Sequence, residues 1–260
     1  MIDFMNRYRP PGAPLAVTKD ARLVYACGFG YADVETKTPV EPLSLFRIAS
    51  LSKAFTATRD YVTRQVLQPL GITRMRLGKN LLRDRAPGEG QVLRRHGPRR
   101  TRHIGAEYRP AGAAPLRGRV HRDHGRQRRL DRLRFIDAFN DIRNCRLLDE
   151  RSIRTMLARP PGAPGLTKGK PGTTYYGCGW DVSPIDERQG KYTKWHGGLL
   201  AGSSTFMLGR ADGLNWAVVF NSEEDKTGKE FANTIDCLLH QTADRIKDWP
   251  EGDLYGKYAL

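Results

Sequence analysis

The chain has 260 residues, of which 39 % are apolar, and a formal net charge of +16. This length can bury a sizeable core in one large domain or two small ones, and no apolar run approaches the length that spans a bilayer. The start, Met1 to Pro11, lacks the unbroken apolar stretch of a secretory signal, so the chain as written reads as cytoplasmic; a true start further upstream would admit a periplasmic or secreted protein.

In chain order, Leu15–Thr18 and Leu23–Cys27 are short apolar runs around a Lys19-Asp20-Ala21 turn, the pattern of a hairpin. Gly28 to Asp33 continues it, and Thr38-Pro39-Val40 leads to Leu45-Phe46-Arg47-Ile48. After Ser50 the pattern becomes helical, and Asp60–Leu67 predicts a short helix stopped by Pro69-Leu70-Gly71. From Gly88 to Arg134 neither the strand nor the helix period is visible. Order returns at Phe135-Ile136-Asp137-Ala138-Phe139. A helix is predicted from Asp149, with Ile153, Met156 and Leu157 on one face and Pro160-Pro161-Gly162 as its end. Three strands follow at Tyr175–Val182, Lys194–Leu200 and Ser203–Leu208. Arg210-Ala211-Asp212-Gly213 turns the chain into a returning strand, Leu214–Asn221. Lys229–Lys247 then reads as an amphipathic helix with Phe231, Ile235, Leu238, Leu239 and Ile246 on its apolar face.

Charge and cysteine placement narrow the function classes. Residues 91–134 hold 14 Arg, no Lys and three acids, and so carry +11 of the +16, with four of the six histidines. Those histidines lack zinc-site spacing. Cys27, Cys145, Cys178 and Cys237 are far apart and form no C-x-x-C pair, which leaves no metal pattern and favours small buried residues.

Ser50-Leu51-Ser52-Lys53 is an S-x-x-K element entering a helical stretch. One helical turn puts Ser50 and Lys53 on the same face. A hydroxyl beside an amine whose pKa burial lowers is a nucleophile with its general base. Backbone N–H groups at the helix start would favour a developing oxyanion.

The surroundings of this element carry a resemblance. Pro14–Val17, the Lys19-Asp20 turn, Tyr31-Ala32-Asp33, Thr38-Pro39-Val40 and Phe46-Arg47-Ile48-Ala49, running into Ser50-Leu51-Ser52-Lys53, resemble the N-terminal part of class C-type serine β-lactamases and related penicillin-binding esterases and D-peptidases. Asp60–Thr73 looks like a later helix of that family. Trp195-His196-Gly197-Gly198, followed by Gly202 and a hairpin, looks like its third motif. The likeness covers residues 8–89 and 135–255. It implies that Ser50 is acylated, that Lys53 accepts its proton, and that His196 stands where β-lactamases use the Lys of Lys-Thr-Gly. Along the strand Gly197, Gly198 and Leu199 would line the substrate, a backbone N–H of Gly198 or Leu199 completing an oxyanion hole with that of Ser50. A His at this place is similar to the esterase and peptidase side of the family. No cofactor or metal is implied.

The family's second motif, Tyr-x-Asn, is absent from the sequence. Phe55–Thr58 passes almost directly to Asp60-Tyr61-Val62, where relatives carry a long helical segment with that motif, so an internal deletion near residues 58–59 is expected. The arginine-rich middle suggests a reading-frame change: with permitted codons, Pro115–Leu133 shifted by one base spells a peptide with PYGA and GGWIAS pieces, the expected neighbour of Phe135.

The expected fold is α+β, an antiparallel sheet formed by N- and C-terminal strands with flanking helices, β-lactamase/transpeptidase-like, with an incomplete helical region. The expected parts are 1–58 (hairpin and nucleophile helix), 59–89 (remnant of the helical region), 90–134 (Arg-rich and poorly ordered) and 135–260 (closing helices and the His196-Gly197-Gly198 strand). The expected partner is a small ester or amide, with no specific nucleic acid and no membrane span; oligomeric state stays open. Two alternatives stand beside the hydrolase: an inactive remnant of one, and a basic nucleic-acid-binding protein acting through residues 91–134.

Overall fold

The computed structural model describes residues 1–51, 63–72, 76–77, 125–128, 134–139, 145, 147–162 and 174–258. Among the described residues, eight antiparallel strands make the main sheet. In chain order they are β1 (Gly12–Lys19), β2 (Arg22–Asp33), β3 (Thr38–Pro39), β7 (Tyr175–Tyr176), β8 (Asp181–Asp186), β9 (Lys191–Leu200), β10 (Ser203–Gly209) and β11 (Leu214–Phe220), and they lie in the order β3-β2-β1-β11-β10-β9-β8-β7. The α+β architecture expected from the sequence is the one found.

The sheet is closed by strands from opposite ends of the chain. β1 pairs with β11 from Leu15↔Val218 to Lys19↔Leu214. Asp20 and Ala21 both adopt left-handed backbone in the β1–β2 turn. Asp20 N–H donates to the Gly213 carbonyl at 3.0 Å, which ties this turn to the β10–β11 turn.

Alternating side chains of these strands feed two cores. On one face, Leu15, Val17, Phe206, Leu208, Trp216, Val218 and Phe220 pack against Phe4 of α1 (Ile2–Tyr8) and against Phe231 and Ile235 of α3 (Phe231–Ala243). On the other, Ala16, Met207 and Ala217 meet Ile48, Leu51, Ile72, Phe135, Ile136 and Trp180, together with Ile153 and Leu157 of α2 (Glu150–Leu157). Central strands covered on both faces lose the polar alternation of a half-exposed strand, and β10 and β11 are buried at every residue. Asp149 caps α2 by accepting from Ser152 N–H at 2.7 Å, as the sequence predicts for a helix starting there.

Three short strands form a second sheet: β4 (Leu45–Arg47), β5 (Arg76–Leu77) and β6 (Gly125–Arg128), in the order β4-β6-β5. Thus three residues of the arginine-rich stretch, Arg126 to Arg128, pair with the strand leading to Ser50, Arg47 lying opposite Arg126. The rest of 90–134, apart from Arg134, lies outside the described residues, as does the 58–59 junction.

Several expectations need correction. The single strand expected over Tyr175–Val182 is two, β7 and β8, because Gly177–Trp180 turns the chain and Gly179 takes a φ of 84°. The last helix is shorter than Lys229–Lys247, and Leu238 and Ile246 on its expected apolar face are 41 % and 39 % exposed. The cysteines are not a buried set: Cys27 and Cys145 are half-buried, and Cys178 and Cys237 are exposed, on the β7–β8 turn and on α3. All four are free thiols. The N-terminal helix α1 has no sequence expectation; only Phe4 in it is buried, too little for a periodic signal. In place of a regular helix to Leu67, Thr63–Leu67 forms one wide helical turn, followed by a tight turn over Gln68–Leu70 that Gly71 ends at φ 69°.

Polar groups interrupt the core on the Ile48 face. Thr18 Oγ1 donates to Asp137 Oδ1 at 2.7 Å, Asn215 Nδ2 donates to the same oxygen, and Tyr255 Oη approaches Oδ2 at 3.4 Å. Burial pushes the Asp137 carboxyl up to about 7 despite these donors. Burial likewise brings Lys194, on β9, down to about 8, against the pull of Asp137. For Asp137 the folded value lies above the unfolded one, so its contribution to stability is complete below about pH 4 and disappears as pH rises to about 7. Asp137→Asn should therefore flatten the decline in stability between pH 5 and pH 7, as read by urea midpoints; an unchanged slope would disprove the assignment.

Candidate active site

Ser50 is presented by its neighbours. β4 delivers the chain to Ile48, and a tight turn follows over Ala49–Leu51, with Leu51 N–H donating to the Ile48 carbonyl at 3.1 Å. Ile48 and Leu51 are fully buried on either side, which leaves Ser50 half-buried between two anchors. Ala49 sits at φ 48°, a left-handed conformation costing roughly 1–2 kcal/mol for a residue with a Cβ. Backbone strain of this kind survives where the surrounding packing dictates it.

Hydrogen bonds from β10 hold that turn. Ser203 Oγ donates to the Arg47 carbonyl at 2.9 Å, and Thr205 Oγ1 lies 3.1 Å from the Ile48 carbonyl and 3.2 Å from that of Gly198. Gly198 itself faces the turn. A Cβ there would stand 2.7 Å from Ile48 O and 3.0 Å from Ser50 N, so β9 can approach the Ser50 backbone only without a side chain at this position.

His196, two residues back on β9 and buried on the same face as Gly198, is 6 % exposed. Its Nδ1 lies 2.5 Å from Gly197 O, which can only accept, so Nδ1 carries a proton. Its Nε2 lies 3.1 Å from Tyr176 Oη, and the two rings meet edge-on at 6.0 Å. Asp181, the first residue of β8, has its carboxyl pushed up by burial and pulled down by His196. Leu199 is 39 % exposed. Among the described residues β8 pairs with β9 only as far as Trp195, so residues 196–200 keep an open strand edge beside Ser50.

The structure thus brings together Ser50, Gly198 and the strand carrying His196, Gly197 and Leu199. Lys53 lies outside the described residues. Tyr176 is the residue that sequence reasoning missed; its only signal was a place in a presumed strand, and nothing in the spacing linked it to His196. Among the described residues no group of His, Cys, Asp or Glu could hold a metal, and no helix is long and apolar enough to cross a membrane.

The family described as Beta-lactamase matches residues 1–59, a stretch that contains Ser50 and Lys53. Over that stretch the chain is similar to the serine β-lactamase-like family. A D-aminopeptidase of Gluconobacter oxydans (strain 621H) is 44 % identical over 50 residues, 19 % of this chain and 10 % of that protein. The mitochondrial serine beta-lactamase-like protein LACTB of Homo sapiens is 46 % identical over 46 residues, 18 % of this chain and 8 % of that one. The matched stretch therefore spans about a tenth or less of these relatives. The octameric penicillin-binding protein homologue from Pyrococcus abyssi superposes with a TM-score of 0.62 at 15 % identity, covering 92 % of this chain and 76 % of that one. This places the β-lactamase-like fold well beyond the matched N-terminal stretch.

If β9 presses on the turn through Gly198, Gly198→Ala should destabilise the protein by about 1–3 kcal/mol, since the strand must move away. Gly197→Ala, whose Cβ would meet nothing nearer than 3.9 Å, should change stability by less than about 1 kcal/mol. Urea denaturation of the two variants separates them, and equal losses would contradict the contact.

Proposed function

We propose that the chain is a serine hydrolase working through an acyl-enzyme on esters or small amides. One observation carries the reading: the Ser50 backbone lies against Gly198 on a strand that, among the described residues, β8 pairs only as far as Trp195. In this reading Ser50 Oγ attacks the acyl carbon and Lys53, three residues on, accepts its proton. The negative charge developing on the acyl oxygen is met by the Ser50 N–H and a β9 N–H at Gly198 or Leu199. His196, Gly197 and Leu199 line the acyl group. Collapse of the tetrahedral adduct breaks the bond to the alcohol or amine, which leaves with the proton Lys53 holds; a water, giving its proton to Lys53, then attacks the acyl-enzyme, releases the acid and returns Ser50 as its hydroxyl. A His in place of a lysine at position 196 favours ester and small-amide substrates over β-lactams.

The absence of Tyr-x-Asn supports a second reading, an inactive remnant of the same enzyme. The Beta-lactamase match ends at residue 59, beside the junction where that motif's segment would be expected. Stopped-flow hydrolysis of a p-nitrophenyl ester decides between the two. An active enzyme gives a burst of one nitrophenol per site, and Ser50→Ala abolishes it and lowers kcat/KM by at least about a thousandfold. Folded protein with no burst would establish the remnant.

A further inference from the structure

We infer that Tyr176 is a positioning residue for the candidate site: its phenol holds the His196 ring in one tautomer, with Nε2 unprotonated and accepting from the Tyr176 hydroxyl. The assignment of a role in acyl transfer rests on the hydrolase reading; the positioning itself does not.

The geometry comes from both ends of the imidazole. Gly197 O lies 2.5 Å from Nδ1 and cannot donate, so Nδ1–H must point to it. In the neutral ring Nε2 is then an acceptor, and the Tyr176 O–H, 3.1 Å away, is a donor that suits it. A histidine bound this way at both nitrogens has its tautomer and its rotation fixed, in the way a partner on one nitrogen sets the state of the other. The fold makes the contact by ending a strand early. β8 starts at Asp181, which pairs with Trp195 on one side and Tyr176 on the other, so Tyr176 reaches past that end to the ring beyond Trp195. Tyr176 is 43 % exposed, and burial and Asp181 both push its phenol upward, so it stays protonated and able to donate at neutral pH. Among the described residues, charged groups on this side of the sheet include Asp181 on β8 and, two residues back on the same face of β9, Lys194.

This contact also puts a phenol into a site whose sequence has no Tyr-x-Asn. The hydroxyl comes from a different strand, and it acts through His196.

The test reads the ring nitrogens directly. Long-range proton–nitrogen NMR of the full chain, with His196 assigned by comparison with His196→Gln, should show a protonated Nδ1 and an unprotonated Nε2 at pH 8. In Tyr176→Phe the neutral ring loses its donor, so His196 should titrate about half a unit higher in pH and show exchange between tautomers. With 3-fluorotyrosine at position 176, a stronger donor, the titration should move about as far in the opposite direction. On the ester substrate Tyr176→Phe should lower kcat about tenfold with KM little changed. Ring spectra and titration unchanged in both substituted proteins would overturn the inference. The expected NMR changes in protein that shows no ester burst would uphold the positioning and overturn the hydrolase reading instead.

Discussion

Backbone meets backbone where β9 crosses the turn before Ser50, and the arrangement of the site depends on that contact. Side chains normally keep a strand several ångströms from a neighbouring loop, but at Gly198 the space is taken by the Ile48 carbonyl and the Ser50 amide. Thr205 bridges both partners with a single hydroxyl, and Ser203 fastens the residue before. The turn is further constrained by Ile48 and Leu51, each sunk in the core beneath the sheet. A left-handed Ala49 is tolerated because these attachments leave the chain no easier path. The half-buried serine is therefore a product of packing on both sides of it and of hydrogen bonds to β10.

The same face of the sheet holds a polar knot away from Ser50. Asp137 gathers donors from β1, β11 and the C-terminal turn, and Lys194 is buried on β9 two residues before His196. Groups from five places in the chain meet there. Their burial is costly for either charge alone, which is why the acid is raised and the amine lowered toward each other. The arrangement fixes the register in which Phe135 and Ile136 enter the core, since Asp137 has few other places to find such donors.

The central strands, the β1–β2 hairpin and the Asp149-capped helix were legible because local chemistry decides them: a turn between apolar runs, an acid before an amphipathic face. The Ser50 and His196-Gly197-Gly198 elements were legible as motifs, and the fold does bring them together. What sequence could not show was distance. Tyr176 and His196 are 20 residues apart on strands that do not pair with each other, and their contact depends on where β8 happens to begin. The Asp137 network spans still longer separations, with Thr18 119 residues away. The last helix was read too long, past Ala243 to Ile246 and beyond, and its apolar face too wide, since Leu238 within it is exposed. Gly177–Trp180 was read as strand because aromatic residues on both flanks masked the glycines of the turn.

The pairing of β1 with β11 carries a consequence for the order in which the protein is made. Val17 reaches the ribosome exit roughly two hundred residues before its partner Trp216 exists. Throughout that interval the β1–β2 hairpin offers a bare edge, apolar on the side that α1 and, only at the end of synthesis, α3 cover. Such an edge invites pairing with other nascent chains. Only when Leu214–Phe220 emerges is the hairpin sealed, and closing so long a loop is entropically slow. Yield in cells will thus depend on how quickly the final seventy or so residues follow the first thirty, and on chaperones that guard the hairpin meanwhile.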